Sequence, residues 1–224
     1  MSIDDVFTID PTRENLKKYI DTCENINIQD IHKDTLLHLA VGYNYLDIVQ
    51  LLIEKGIDIS IRNIAGYTPL HLAIRCNLPE IAKILIDNGA DIHVKDEGEN
   101  TPLHNAIYVE AQDIARLLID NHADVNAKTG CDDTPLHLAV RYDQPDIVRL
   151  LIDHGAEVST QNEFGDTPLH IAVDYKQSDI VRLLIEHGAD VSIRYEDDRT
   201  PLYLARLHGL TEIEELLIKN GAAD

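Results

Sequence analysis

The chain has 224 residues, 44% of them hydrophobic, enough to bury a sizeable core as one large domain or two small ones. Its 19 Lys and Arg stand against 40 Asp and Glu, and a formal net charge of −21 argues against DNA, RNA and anionic membranes, whose phosphates call for a surplus of cations. The three cysteines, Cys23, Cys76 and Cys131, lie outside any CxxC spacing, so neither a disulfide framework nor a zinc site is expected.

The opening MSIDDVFTID places acids where a signal peptide would carry basic residues, and no run of about 18 apolar residues follows, so the chain reads as a soluble cytoplasmic protein. Beyond this first segment the sequence repeats itself. A tetrapeptide beginning with Thr stands at 35, 68, 101, 134, 167 and 200, reading TLLH, TPLH, TPLH, TPLH, TPLH and TPLY, always 33 residues apart. A second phrase keeps the same period: DIVQLLIEKG ends at Gly56, EIAKILIDNG at Gly89, DIARLLIDNH at His122, DIVRLLIDHG at Gly155, DIVRLLIEHG at Gly188 and EIEELLIKNG at Gly221.

Each phrase has a mechanical reading. Thr68 can cap a helix through its hydroxyl, with Pro69 at the first helical position, where a missing N–H costs nothing. Leu70, Leu72 and Ala73 then give that helix an apolar face, and Ile81, Ile84, Leu85 and Ile86 form the stripe of a second, antiparallel helix. Gly89 follows where a left-handed residue closes the turn, and ADIHVKDEGEN leads on as an extended polar finger.

In chain order this predicts an amino-terminal cap unit over 1–29, repeats over 30–62, 63–95, 96–128, 129–161 and 162–194, and a truncated carboxy-terminal cap repeat over 195–224, all in one domain. In the first cap, Ser2 falls one period before Thr35. Val6, Phe7, Leu16, Tyr19 and Ile20 keep the inner stripe there, while Lys17 and Lys18 replace apolar residues. In the last, Glu212, Glu214 and Glu215 wet the outer helix and the chain stops at Asp224 without a finger.

The period and the TPLH signature resemble the ankyrin repeat family over essentially the whole chain. That resemblance implies an all-α repeat solenoid of stacked helix-turn-helix units with finger loops, and a general protein-binding scaffold that presents a concave groove. Four departures are local: Leu36 replaces the Pro, Tyr203 the His, Asn105 a Leu and His122 the Gly. A non-Gly residue held left-handed costs about 1 kcal/mol, which makes the 96–128 repeat the softest.

Eleven histidines among many carboxylates invite a metal or acid–base reading, but His38, His71, His104, His137 and His170 are the fourth residue of the signature. A structural role in the first helical turn and the finger is expected of them. His154 and His187 are read as helix-end residues that favour the dipole there. No phosphate-binding glycine loop, metalloprotease, serine-hydrolase or dinucleotide fingerprint occurs, so no catalytic residue, cofactor or metal is expected.

Function is expected where the repeats differ. At the ends of the first helices stand Gly42 and Tyr43, Arg75 and Cys76, Tyr108 and Val109, Arg141 and Tyr142, Asp174 and Tyr175, and Leu207 and His208. The fingers add Tyr67 and Phe164, and the acids Glu97, Glu99, Asp132, Asp133, Glu163, Asp166, Glu196, Asp197 and Asp198. Tyr and Arg are the residues that most often anchor interfaces. The expectation is therefore a groove with a tyrosine and arginine floor and an acidic edge, taking a protein with basic and apolar surface. Such a monomeric module would act by occupancy or bridging. It would be an adaptor, a dedicated inhibitor of one enzyme, or a secreted bacterial effector in a host cytosol. The alternative of another class is an architectural, self-associating array.

Overall fold

The computed structural model describes residues 12–194 and 199–223. Ser2, Val6, Phe7, Glu196, Asp197, Asp198 and Asp224 lie outside the described residues. The chain forms two compact units, Met1–Glu97 and Gly98–Asp224. Thirteen helices and no extended strand are found among the described residues, and together they make an all-α repeat solenoid.

The first unit holds α1 (Arg13–Ile20), α2 (Leu36–Gly42), α3 (Leu46–Glu54), α4 (Pro69–Arg75) and α5 (Pro79–Asp87). The second holds α6 (Pro102–Tyr108), α7 (Gln112–Asp120), α8 (Pro135–Arg141), α9 (Pro145–Asp153), α10 (Pro168–Asp174), α11 (Ser178–Glu186), α12 (Pro201–Leu207) and α13 (Thr211–Lys219). Within each unit the short first helices pack on one another, α2 with α4 and α6, α8, α10 and α12 in series. The longer second helices form a parallel row behind them, α1, α3 and α5 in one unit and α7, α9, α11 and α13 in the other.

The signature builds the first turn. Thr35, Thr68, Thr101, Thr134 and Thr167 are N-caps, and each forms a reciprocal box with the His at the third helical position. The backbone N–H of Thr134 donates to His137 Nδ1 at 3.1 Å, which makes that nitrogen an acceptor and places the proton on Nε2. Nε2 then donates to the Asp166 carbonyl of the following finger at 3.1 Å, and His38 reaches the Tyr67 carbonyl in the same way at 3.0 Å. Burial accompanies this role and holds the imidazoles of His38, His71, His137 and His170 below the usual range, His170 at about 4.

Helix α4 buries Pro69, Leu70, His71, Ala73 and Ile74, whereas Leu72 is only half-buried. On α5 the buried stripe is Ile81, Ala82 and Leu85, and Ile84 and Ile86 sit at its margins. The second helices close on left-handed residues, Gly89 with φ 88° and, in the departing repeat, His122 with φ 66°. Helix α1 buries Leu16 and Ile20 against α3 and leaves Lys17 and Lys18 exposed, with Arg13 and Lys17 both paired to Asp47 at 2.9 and 2.7 Å. At the other end α13 buries Ile213 and Leu217 while Glu212 and Glu215 face water.

Candidate functional site

A seven-residue first helix sets the geometry of the candidate site. Its buried positions face its neighbours, so the residue that ends it and the one that caps it are left at the surface beside the fingers.

In the first unit Tyr43 caps α2, half-exposed, with its ring stacked on Tyr45 at 5.7 Å. Arg75 ends α4 and lays its guanidinium 4.7 Å above the Tyr67 ring, and Arg13 sits 5.4 Å above Tyr45. Among the described residues these are the guanidinium–tyrosine contacts, and both are made within the molecule. Glu97 is exposed, with its side chain across Gly66. Two finger residues absent from the sequence expectation also stand out. Ile31 is 85% exposed and Ile64 is 65% exposed, and their fingers are joined by the Ile64 N–H donating to the His32 carbonyl at 2.8 Å.

In the second unit Arg141, at the end of α8, grips Asp133 with two hydrogen bonds of 2.6 and 3.3 Å. Asp133 lies just before the Thr134 cap and is buried, and the Asn162 amide of the next finger donates to it at 2.9 Å. Burial alone would raise the Asp133 carboxyl, but the Arg141 and Asn162 hydrogen bonds outweigh it and hold the group below the usual carboxylate range. The converse holds for Arg141, where burial opposes the charge and Asp133 restores it. Asp133 and Arg141 are thus spent on one another. Asp132 lies outside this pair at the exposed tip, within 3.9 Å of Lys128.

Beside the ion pair, Tyr108 and Tyr142 meet edge to face at 5.5 Å, with Tyr108 61% exposed. Tyr175, exposed, caps α10 next to Asp174, which His208 of the last repeat meets at 2.9 Å. Phe164 is half-exposed on its finger, Asp166 lends its carbonyl to His137, and Glu99 stands exposed at a tip. The tip residues Glu99 and Asp132 adopt φ 61° and 59°, the left-handed conformation that Gly66 and Gly165 supply in other fingers.

Cys131 is exposed, but the Glu163 carboxylate accepts from its thiol and repels a thiolate, which pushes the thiol up and away from nucleophilic chemistry. Among the described residues no three His, Cys, Asp or Glu side chains group as a metal site would need. The recurring acids Asp58, Asp91, Asp124 and Asp190 fold the start of each finger, each accepting from a backbone N–H two residues on. No described helix is long and apolar enough to cross a membrane.

Gln144 and Gln177 are a further pair missing from the sequence expectation. Their amides donate to the Ile107 and Val140 carbonyls at 2.8 and 2.9 Å, latching the 129–161 and 162–194 repeats each to the one before it. The signal was a Gln at the same place in two successive copies, just before each second helix.

Comparison with known proteins agrees with this frame. The profile described as ankyrin repeats (3 copies) matches residues 11–96, 66–129, 89–162 and 156–224. An ankyrin repeat domain from Acinetobacter baumannii AYE superposes with a TM-score of 0.80 at 31% identity, over 84% of this chain and 98% of that one. Alpha-latrotoxin-Lt1a of Latrodectus tredecimguttatus is 57% identical over 35 residues, about one repeat. That stretch is 16% of this chain and 2% of the toxin, so the likeness reaches only a small part of the toxin's length.

Proposed function

Because the chain belongs to the ankyrin repeat family, whose members are generally protein–protein interaction modules, we propose that it binds a neutral or basic protein along its first-helix ends and fingers. The observation that carries this reading is the exposed Tyr108 packed edge to face on the half-buried Tyr142, followed one repeat later by the exposed Tyr175, beside fingers bearing Glu99, Asp132 and Glu163. The second unit is the more acidic, with 10 Lys and Arg against 24 Asp and Glu, compared with 9 against 16 in the first. Such a surface raises the local concentration of cationic partners, and rigid aromatics then bury apolar area at little entropic cost.

The module works as a monomer without catalysis. It inhibits if the bound surface is an enzyme's working face, and it bridges if a second partner takes the unused residues. The cytoplasm is its place of action, or the cytosol of a host cell if the protein is secreted.

The test is affinity capture from lysate with wild type beside a Tyr108→Ala, Tyr142→Ala, Tyr175→Ala variant, at low and raised salt. A protein retained by wild type, lost with the triple variant and weakened by salt supports the reading. Equal retention by both moves the binding surface elsewhere on the array.

A further inference from the structure

Three departures from the repeat pattern meet in one place. Where the other copies carry Leu39, Leu72, Leu138, Ile171 and Leu204, the second unit's first helix carries Asn105. Four residues before each signature Thr the chain has Ile31, Ile64, Glu97, Glu163 and Glu196, but Gly130 in the fourth copy. Gly98, one place further on in the finger before, corresponds to His32, Ala65, Cys131 and Phe164. All three line a single cavity of about 390 Å³, walled by Tyr108 and Tyr142, with Leu138 and the Asp133–Arg141 pair also in its lining. Larger residues at these points would fill the space, so the cavity is the product of the departures.

The chemistry of the lining selects an occupant. Arg141 is held by both Asp133 oxygens, so the cavity offers no uncommitted cation to an anion. The surrounding fingers bring Glu99, Asp132 and Glu163, all exposed. In the first unit, tyrosines of this frame already carry guanidiniums, Arg75 over Tyr67 and Arg13 over Tyr45, whereas Tyr108 and Tyr142 face each other. The volume lies at the low end for small-molecule sites and suits one long side chain entering from an open surface.

We propose that this cavity receives a single arginine or lysine side chain of the partner protein, its methylenes against Tyr142 and Leu138 and its charged head over Tyr108. The proposal rests on the protein-binding reading and names the group that this part of the surface recognises.

The test uses the full chain, labelled for amide NMR, and three blocked pentapeptides with arginine, norleucine or glutamate between two leucines. With the arginine peptide at millimolar concentration, the Gly98, Gly130 and Cys131 amides shift in a saturable, salt-sensitive way, and affinity exceeds that of the norleucine peptide. Tyr108→Ala lowers it about tenfold. Gly130→Leu abolishes it; a Cβ there meets the Gly98 carbonyl at 3.6 Å and Glu99 Cβ at 3.9 Å, ordinary contacts, and the added branch fills the cavity.

Equal binding of all three peptides, no shift at these amides, or indifference to both substitutions overturns the proposal. If the arginine peptide instead shifts amides around Tyr67 or Tyr175, the cavity is wrong while the protein-binding reading stands. If lysate capture also retains nothing, both fall.

Discussion

Replacing His170 by Asn should change how the second unit responds to acid. His170 Nδ1 meets the Thr167 hydroxyl at 2.8 Å, and the ring is fully buried among the backbone carbonyls of Ile193 and Arg199 and the carboxylate of Asp174. Burial dominates and lowers its pKa from 6.5 to about 4, with those three groups opposing the shift. Between these values the unfolded chain binds the proton and the folded chain does not. The neutral imidazole therefore contributes stability that is complete above pH 6.5 and lost as pH falls toward 4. A difference of this size corresponds to about 3 kcal/mol at most. Asn titrates nowhere, so His170→Asn is less stable than wild type at neutral pH, where it loses a clasp. The gap between the two then narrows by up to about 3 kcal/mol on acidification. Urea midpoints across this range give the gap, and an NMR titration of the ring gives the pKa. Parallel curves, or a ring midpoint near the ordinary histidine value, would refute the reasoning.

Gln144→Leu leaves the Ile107 carbonyl without its donor in a buried joint and costs about 1–3 kcal/mol, read from the urea midpoint. His122→Gly relieves a left-handed residue and raises stability by about 0.5–1 kcal/mol in thermal melts, while Gly155→Ala, at φ 88°, lowers it by a similar amount. Arg141→Met strands a buried carboxylate. A carboxyl titration then finds Asp133 higher than in wild type, and stability falls by about 1–2 kcal/mol, less than for a fully buried pair because Arg141 is partly exposed.

The frame was legible because it is written six times. Thr, Pro and His at fixed places cap and clasp most copies, and the glycine ten residues into the second phrase closes all but one of them. Even the misfit at His122 pointed to the left-handed backbone that the structure has. The candidate site was read from the positions where the copies differ, and most of those positions lie at the surface.

What each residue does there was not legible. Arg141 reaches back eight residues to Asp133 within one copy, and Asn162 reaches across 29 from the next, so this second contact depends on neighbouring copies being stacked. Side-chain type alone made Arg75 and Arg141 equals, yet one lies on a tyrosine ring and the other is locked to a carboxylate. Ile31 and Ile64 passed unnoticed because an apolar residue in a finger looks like core until the finger tip is seen in water.

Nearly every strap between copies joins residues about one period apart: 29 for His137 to Asp166, 31 for Asn126 to Glu157, 33 for Gln161 to Arg194 and 37 for Gln144 to Ile107. Each of these straps joins adjacent copies. Excision or duplication of one whole period within a unit would therefore rejoin matching halves of the same joints. The gene can lengthen or shorten this array in 33-residue steps without inventing a new joint, and each step can trade one set of exposed side chains for another.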